Sequence, residues 1–200
     1  TFASGSNLEV IPVGTFTGSG LESITIPASV KVIADASYNS YGSIDSNLYG
    51  AFEECKNLEA VMFENGTAST HVGANACKGC VELKYISLPS TVSTIARSAF
   101  TNCLSIESIV IPETVTQFGF EAFSAGTNAD TQLSSIIINS KATELSFGMF
   151  RNLKNLKTLV IPDTVKIIGD YCFENSGLEE IVIPETVTKV GAYAFSGCTS

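Results

Sequence analysis

The sequence is poor in the residues on which most catalytic and metal sites depend. Its 200 residues include one histidine, His71, so a zinc-binding H-E-x-x-H motif is excluded. The G-x-S-x-G nucleophile turn and the G-x-x-x-x-G-K-[ST] phosphate loop are also absent. A Ser-His-Asp triad would have to use His71, which lies in a segment with no other catalytic signal. We therefore predict no enzymatic activity, no catalytic residue and no cofactor.

Positive charge and long apolar runs are scarce as well. Eleven Lys and Arg stand against 20 Asp and Glu, and the net charge of −9 repels phosphate backbones and anionic lipid surfaces. No apolar run approaches the roughly 18 residues that a membrane span requires, and no basic-then-apolar leader begins at Thr1. We expect neither nucleic-acid binding nor membrane insertion within this chain, which we interpret as a fragment of a longer protein.

What the sequence does contain is a repeat, seen most clearly in LEEIVIPETVTKVGAYAFSGC at residues 178–198. Its template is L-x-x-I-x-I-P-x-x-V-x-x-I-G-x-x-A-F-x-x-C-x-x, and the unit length is 22 or 23 residues where no insertion occurs. A repeat array adds units in one dimension, so we predict one continuous domain at 21–200. Residues 1–20 resemble half a unit that covers the open end of the core. The seven copies begin at Leu21, Leu58, Leu83, Ile106, Leu133, Leu156 and Leu178.

The template itself predicts the local structure of each copy. Alternation in L-x-x-I-x-I places the first, fourth and sixth residues on one side, as a β-strand requires, and stacked copies form a parallel sheet. V-x-x-I-G is a second short extended piece, and A-F-x-x-C is a turn or a short helical segment. A single copy cannot offset its conformational entropy, so stability must come from its neighbours. A proline, which has no N–H, ends the strand ladder in five copies, at Pro27, Pro89, Pro112, Pro162 and Pro184.

This pattern resembles the BspA-like (Treponema-type) leucine-rich repeats, which occur on surface and secreted proteins of bacteria and some protists. The resemblance covers nearly the whole chain and weakens at residues 1–20, 37–50 and 64–76. It implies a right-handed, β-rich solenoid with a parallel concave sheet, and turns or short helices on the convex side. It also implies, for some members, adhesion to host matrix or to other cells. The family brings no functional residue motif with it.

Four cysteines share one template column. Because other copies fill this column with Leu, Gly or Ser, we interpret it as a packing position of buried thiols. Disulfides between stacked neighbours are the alternative. Cys77 and Cys80 form a C-x-x-C near His71, but no second C-x-x-C completes four ligands, and we predict no metal site. The cysteines of the shared column are Cys55, Cys80, Cys103 and Cys198.

The concave strands provide the candidate binding site. Their fifth position is apolar in four consecutive copies, on a side that should face water. This stripe reflects either β-propensity alone or a strip that binds a partner. The third position lies beside it. The predicted strip consists of Tyr85, Val110, Ile137, Thr158, Val160, Glu180 and Val182.

The insertion at residues 37–50 is a second candidate. It places Tyr38, Tyr41 and Tyr49 among Ser, Asn and Gly, the composition of adaptable binding loops. A tolerated surface loop is the alternative, because loop lengthening costs only about 0.6 kcal/mol per doubling.

Taken together, these features predict an extracellular or cell-surface scaffold that binds a host or cell-surface protein, as an adhesin does, and that acts as a monomer. The competing interpretations are a structural spacer or stalk and an accessory module of a larger secreted enzyme.

Overall fold

The computed structural model describes residues 2–3, 5–33 and 49–198. The chain forms a solenoid of parallel strands with about seven coils, as the repeat predicts. We number the coils one to seven from Leu21 to Leu178. No helix occurs in the described ranges, and so no helix there crosses a membrane.

Every coil contributes a strand to one face, and coils one to five contribute a strand to a second face. The front strands come from the L-x-x-I-x-I segments, and the side strands come from the V-x-x-I segments. The front strands are β2 (Ser23–Ile26), β4 (Ala60–Phe63), β6 (Tyr85–Ile86), β8 (Ser108–Ile111) and β10 (Ser135–Ile138). The side strands are β1 (Val10–Ile11), β3 (Val32–Ile33), β5 (His71–Val72), β7 (Thr94–Ile95), β9 (Gln117–Phe118), β11 (Glu144–Leu145), β12 (Ile167–Ile168) and β13 (Lys189–Val190).

All strand pairs are parallel and join equivalent template positions. The side strands form the sheets β1-β3-β5-β7-β9 and β11-β12-β13, whereas the front strands form β2-β4-β6 and β8-β10. Ile24 pairs with Val61, for example, and both side chains are buried. Residues of the half unit take part in the same way, since Val10 pairs with Val32 and Phe16 stacks on the next coil. Register therefore follows the repeat.

The A-F-x-x-C segments form a third face, which we call the turn arc. The prediction left open whether this segment is a turn or a short helix, and it is a turn. Two residues of the arc have a left-handed backbone, Tyr171 (φ 58°) and Asn175 (φ 54°) in coil six. Since an α-helix needs consecutive residues near φ −60°, this alternation interrupts any helix within the arc.

Backbone hydrogen bonds of the turn arc join each coil to the next. Between coils six and seven, the N–H groups of Tyr171, Phe173 and Asn175 donate to the carbonyls of Ala192, Ala194 and Ser196, at 2.9, 2.8 and 2.8 Å. Coils three and four share the same pattern, in which Ser98 donates to Phe120, Phe100 to Ala122 and Asn102 to Ser124. The left-handed residues thus direct amides at the neighbouring coil.

Phenylalanine rings stack inside the arc. Phe123, Phe150 and Phe173 lie in successive coils, with ring centroids 5.9 and 5.4 Å apart, and all three are buried. The stack includes Phe100 below and Phe195 above. In coil two, Cys77 occupies the column, as the sequence indicates, and the ring stack is interrupted there.

A ladder of hydroxyl groups adds to the stacking where the template has Thr or Ser before its Val. Thr114 Oγ1 donates to the Val92 carbonyl at 2.7 Å, and Thr186 Oγ1 to the Val165 carbonyl at 2.9 Å. Ser29, Thr91 and Thr164 make the equivalent bonds. These hydroxyls satisfy carbonyls of the neighbouring coil that no backbone N–H of the described residues reaches.

Candidate binding face

The front face is the outer surface of β2, β4, β6, β8 and β10 and of the equivalent segments 157–161 and 179–183. The role of proline here is confirmed. Asn139 and Glu64 stand where other coils have proline, and their N–H groups donate to Ile111 O (3.0 Å) and Ile26 O (2.9 Å) of the preceding coil. These bonds extend the two four-residue pairings of the front face, β8–β10 and β2–β4. A proline has no such donor.

Where the incoming coil has proline, front pairing is short or missing. The incoming β6, followed by Pro89, pairs with β4 over only two residues, and coils six and seven meet at a single bridge, Thr158 with Glu180. No backbone hydrogen bond joins residues 84–88 to 107–111, or 134–138 to 157–161, all of which the structure describes. The front face is therefore interrupted twice.

The apolar members of the predicted strip all lie on the front face and are exposed. Val110 and Ile137 are paired in register, while Val160 and Val182 lie in the coils joined by the Thr158–Glu180 bridge. The side chains between them, such as Ile109 and Ile111, are buried, so alternation is kept. The exposed fractions are 52% for Val110, 52% for Ile137, 83% for Val160 and 75% for Val182.

The third-position members lie beside this strip. Tyr85 is 70% exposed and pairs with Ala60, and Thr158 and Glu180 are exposed partners of the same bridge. The structure thus brings the predicted residues onto one face. Whether they bind a partner stays a prediction.

A groove lies on the front face at its first interruption, and we call it the front cleft. It is bounded by residues 84–88 and 107–111 and has a volume of about 570 Å³. Its accessible apolar lining comes from Met62, Ile86, Leu88 and Val110, with the exposed Ser87 beside them and the buried Val61 and Ile109 beneath. This cleft was not predicted from the sequence, although the lack of an N–H donor at Pro112 was a signal for a weak junction between coils three and four.

The tyrosine-rich insertion lies mostly outside the described residues, including Tyr38 and Tyr41. Tyr49 is described and exposed, next to the buried Gly50. The amide of Gly50 donates to the Glu53 carboxylate at 2.8 Å. The prediction of a binding loop remains a prediction.

The column cysteines are free thiols, and Cys55, Cys80 and Cys103 are buried. Their thiols donate to carbonyls of the preceding coil: Cys55 Sγ to Phe16 O at 2.8 Å, and Cys80 Sγ to Phe52 O at 3.0 Å. These contacts support the interpretation as packing positions. In the described ranges, no three His, Cys, Asp or Glu side chains are placed to hold a metal ion.

The surroundings of these thiols also keep them protonated. A hydrogen bond with Cys80, followed by burial, raises the pKa of Cys55. The bond with Cys55 lowers the pKa of Cys80, but its bond with Cys77 and its burial outweigh this and raise that pKa. Burial raises the pKa of Cys103 and Cys172. Because the thiolate is the nucleophile and metal ligand, these groups are poorly suited to chemistry.

A column of aromatic rings at the edge of the turn arc was not predicted either. Phe120, Phe147, Tyr171 and Tyr193 follow one another at centroid distances of 5.8, 5.4 and 5.2 Å, and Arg151 Cζ lies 5.6 Å from the centre of the Tyr171 ring. The rings change template position between coils five and six, which hid the column in the sequence. Each ring packs against the next one in the column, so we assign them to stacking.

The comparisons with known proteins agree with this architecture. The family model described as "BspA type Leucine rich repeat region (6 copies)" matches residues 1–45, 43–131 and 70–200. The chain belongs to the BspA-type leucine-rich repeat family. The resemblance seen in the template is thereby confirmed. A search of the curated proteins found no match.

Solved structures share this BspA-type solenoid. A leucine-rich repeat protein from Bacteroides ovatus is 30% identical with a TM-score of 0.71, and the match covers 88% of this chain and 41% of that one. A T. pallidum leucine-rich repeat protein is 23% identical (TM-score 0.67; 90% and 78% covered). A leucine-rich cell surface protein from Faecalibacterium prausnitzii is 24% identical (TM-score 0.55; 89% and 57% covered). This chain thus spans less than two thirds of the B. ovatus and F. prausnitzii proteins.

Proposed function

We propose that this BspA-type chain is a protein-binding scaffold of the cell surface or extracellular space, and that its partner packs against the front-face strip. The observation that carries the proposal is the row of exposed Val110, Ile137, Val160 and Val182. The row comprises two pairs, Val110 with Ile137 and Val160 with Val182, and exposed apolar surface of this kind usually marks an interaction site. Each of these side chains could be polar without changing the buried face of its strand.

Family and charge support the proposed location and partner class. One structurally similar protein is described as a cell surface protein. The net charge of −9 disfavours phosphate backbones, whereas a protein surface with apolar residues and a basic rim would complement the strip. Adhesion to host matrix or to other cells is the form of binding that we propose to test first.

The test replaces Val110, Ile137 and Val160 together with Thr, which keeps the branching at Cβ and the β-propensity of each side chain and removes apolar surface. A matched control carries Val10→Thr and Val190→Thr, which alter exposed valines of the side strands. Binding to a panel of purified extracellular-matrix proteins is measured by surface plasmon resonance, and folding by urea denaturation.

We expect the front variant to lose at least tenfold in affinity and the control to bind as the parent does. Equal binding by the front variant would exclude the strip as the site. Failure of the parent chain to bind any protein of the panel, or whole cells, would instead favour the spacer or stalk interpretation.

A further inference from the structure

We infer that the front cleft receives an extended segment of the partner protein, which enters as an added β-strand between β6 and β8. This inference rests on the proposed function and specifies how part of the partner is held. It differs from the strip, which offers side-chain contacts alone, because the cleft offers backbone hydrogen bonds on both of its walls.

Unused backbone groups are the first observation. Where front strands pair, the carbonyl of the second template residue accepts N–H groups from the next coil, as Glu59 O does from Lys84 N at 2.9 Å and Tyr85 N at 3.1 Å. Glu107 O accepts from Ser134 N at 3.0 Å in the same way. The equivalent carbonyl of Lys84 receives no backbone N–H from residues 107–111. Both walls of the cleft thus present strand edges without partners.

The coils are nevertheless held in place behind the cleft. β7 and β9 pair in parallel, with Thr94 opposite Gln117, and the rings of Phe100 and Phe123 stack at 5.4 Å. The opening is therefore confined to the front face. At Pro112 the chain lacks the N–H with which Asn139 joins coil five to Ile111, so no backbone bond closes the cleft at that position.

Size and shape fit a short strand. A wall of five residues, 84–88, is about 13 Å long at roughly 3.3 Å per residue, and the cleft volume is about 570 Å³. The half-buried Ile86 and Leu88 and the exposed Met62 make the lining of the cleft apolar, and the opposite side is open to solvent. A strand with an apolar residue at every second position satisfies both sides. Main-chain bonds to an exposed strand edge are a recurrent mode of peptide recognition.

The charged residues at the cleft indicate which residue type flanks the bound segment of the partner. Lys84 pairs with Glu59 across the preceding coils, with Nζ and Oε1 3.2 Å apart. Glu107, on the opposite wall, is exposed and forms no ion pair among the described residues. A Lys or Arg at one end of the segment would meet this carboxylate, whereas a nucleic acid or an anionic lipid would be repelled. The occupant is thus an extended peptide with alternating apolar residues and a basic end.

The probe is a synthetic array of hexapeptides that begin with Lys or Arg and alternate Val, Ile or Leu with Ser or Thr. The strongest binder is measured by fluorescence anisotropy against the intact chain, and each of its central residues is then N-methylated in turn. Because both walls donate and accept, we expect every central N-methyl group to weaken binding at least tenfold. A peptide held by side chains alone would tolerate N-methylation of amides that face solvent.

A variant of the protein tests the location. Ser87→Arg places a bulky side chain at the cleft edge and should weaken peptide binding at least tenfold, whereas Ser23→Arg, at an exposed serine of the same face outside the cleft and the strip, should leave it unchanged. Urea denaturation verifies that both variants fold. No binding by any array peptide, or binding unaffected by Ser87→Arg and N-methylation, would overturn the inference.

The proposal that the strip binds the partner and the proposal that the cleft binds a peptide can be disproved independently of each other. Val160→Thr with Val182→Thr alters the strip and leaves the cleft intact, so loss of matrix-protein binding in this variant with unchanged peptide binding supports both. If matrix proteins bind through the strip while no peptide binds the cleft, only the present inference fails. If peptides bind the cleft and the strip variants bind matrix proteins as the parent does, only the strip assignment fails.

Discussion

Between coils six and seven, the turn arc contributes three backbone hydrogen bonds and a stacked pair of rings, Phe173 and Phe195, 5.2 Å apart. The front face of the same two coils contributes one bridge, Thr158 with Glu180. The contrast recurs at coils three and four, where the arc is bonded and the front strands are not. At these junctions the arc, together with the paired side strands, joins the coils more fully than the front face does, and the front face is free to vary and to open.

The first prediction compares the stability contributions of the turn arc and the front face, and its largest expected effect comes from the ring stack of the arc. Phe150→Ala removes a fully buried ring between Phe123 and Phe173 and should lower the free energy of unfolding by about 3–5 kcal/mol. Val160→Ala, at the most exposed position of the strip, should change it by less than about 0.5 kcal/mol. Urea denaturation of both variants measures the difference. Similar losses would mean that the front face contributes as much as the arc.

The second prediction concerns the front junction that is fully paired. Asn139→Pro removes the N–H that Ile111 O accepts at 3.0 Å and should destabilise the chain by about 1–3 kcal/mol, because a carbonyl loses its partner. Asn139→Ala keeps the N–H and serves as the matched control, with little loss expected. Denaturation midpoints of the two variants decide this. Equal stability would show that the bond is not what holds coils four and five together at the front.

The third prediction is that the stability of the chain depends on pH through a buried thiol of the turn arc. Burial raises the pKa of Cys172, so this thiol keeps its proton in the folded chain, while the unfolded thiol loses its proton above about pH 8.5. Its contribution to stability is therefore present below that pH and decreases as pH rises above it. Under reducing conditions, the free energy of unfolding of the parent should fall between pH 7 and pH 9.5, and Cys172→Ala should make this decrease smaller by about 1 kcal/mol. An unchanged pH dependence in the variant would contradict the burial of this thiol.

The smallest effect concerns the hydroxyl ladder. Thr114→Val replaces a hydroxyl that donates to Val92 O at 2.7 Å and should cost about 1 kcal/mol. Thr116 donates to Ser93 O at only 3.5 Å and is exposed, so Thr116→Val should be neutral within about 0.5 kcal/mol. Thermal unfolding of the pair distinguishes them. If both are neutral, the ladder reflects geometry and adds no stability.

Several features of the candidate site were predictable from single positions. Val110 and Ile137 each stand between two buried residues of their strand, so alternation alone places their side chains outward. Cys77 replaces Phe in its column, and the ring stack is interrupted there. The conformation of the turn arc was harder to predict from the sequence. Asn175 is a residue type that tolerates φ above 0°, whereas Tyr171 is not, so the spacing of A-F-x-x-C did not distinguish a turn from a helix.

The front cleft was beyond such reasoning, because it depends on two segments more than 20 residues apart in the chain. Pro112 indicates that one hydrogen-bond donor is missing from the front face. A missing donor, however, only shortens the strand pairing at one junction between coils and is accompanied by no pairing at another. β6 pairs with β4 over two residues although Pro89 follows it, and β8 does not pair with β6 at all. The separation of strands depends on how whole coils stack.

The order of columns in the sequence determined which residues of each coil are buried, which face water and which lie in register with the next coil, because side-chain direction and repeat length are local properties of the chain. Tertiary structure decided which neighbouring coils join along the front face and where a cleft remains. Hydrogen bonds between coils require both strand edges at the right distance, and that distance depends on how whole neighbouring coils stack, which no single position of the sequence records.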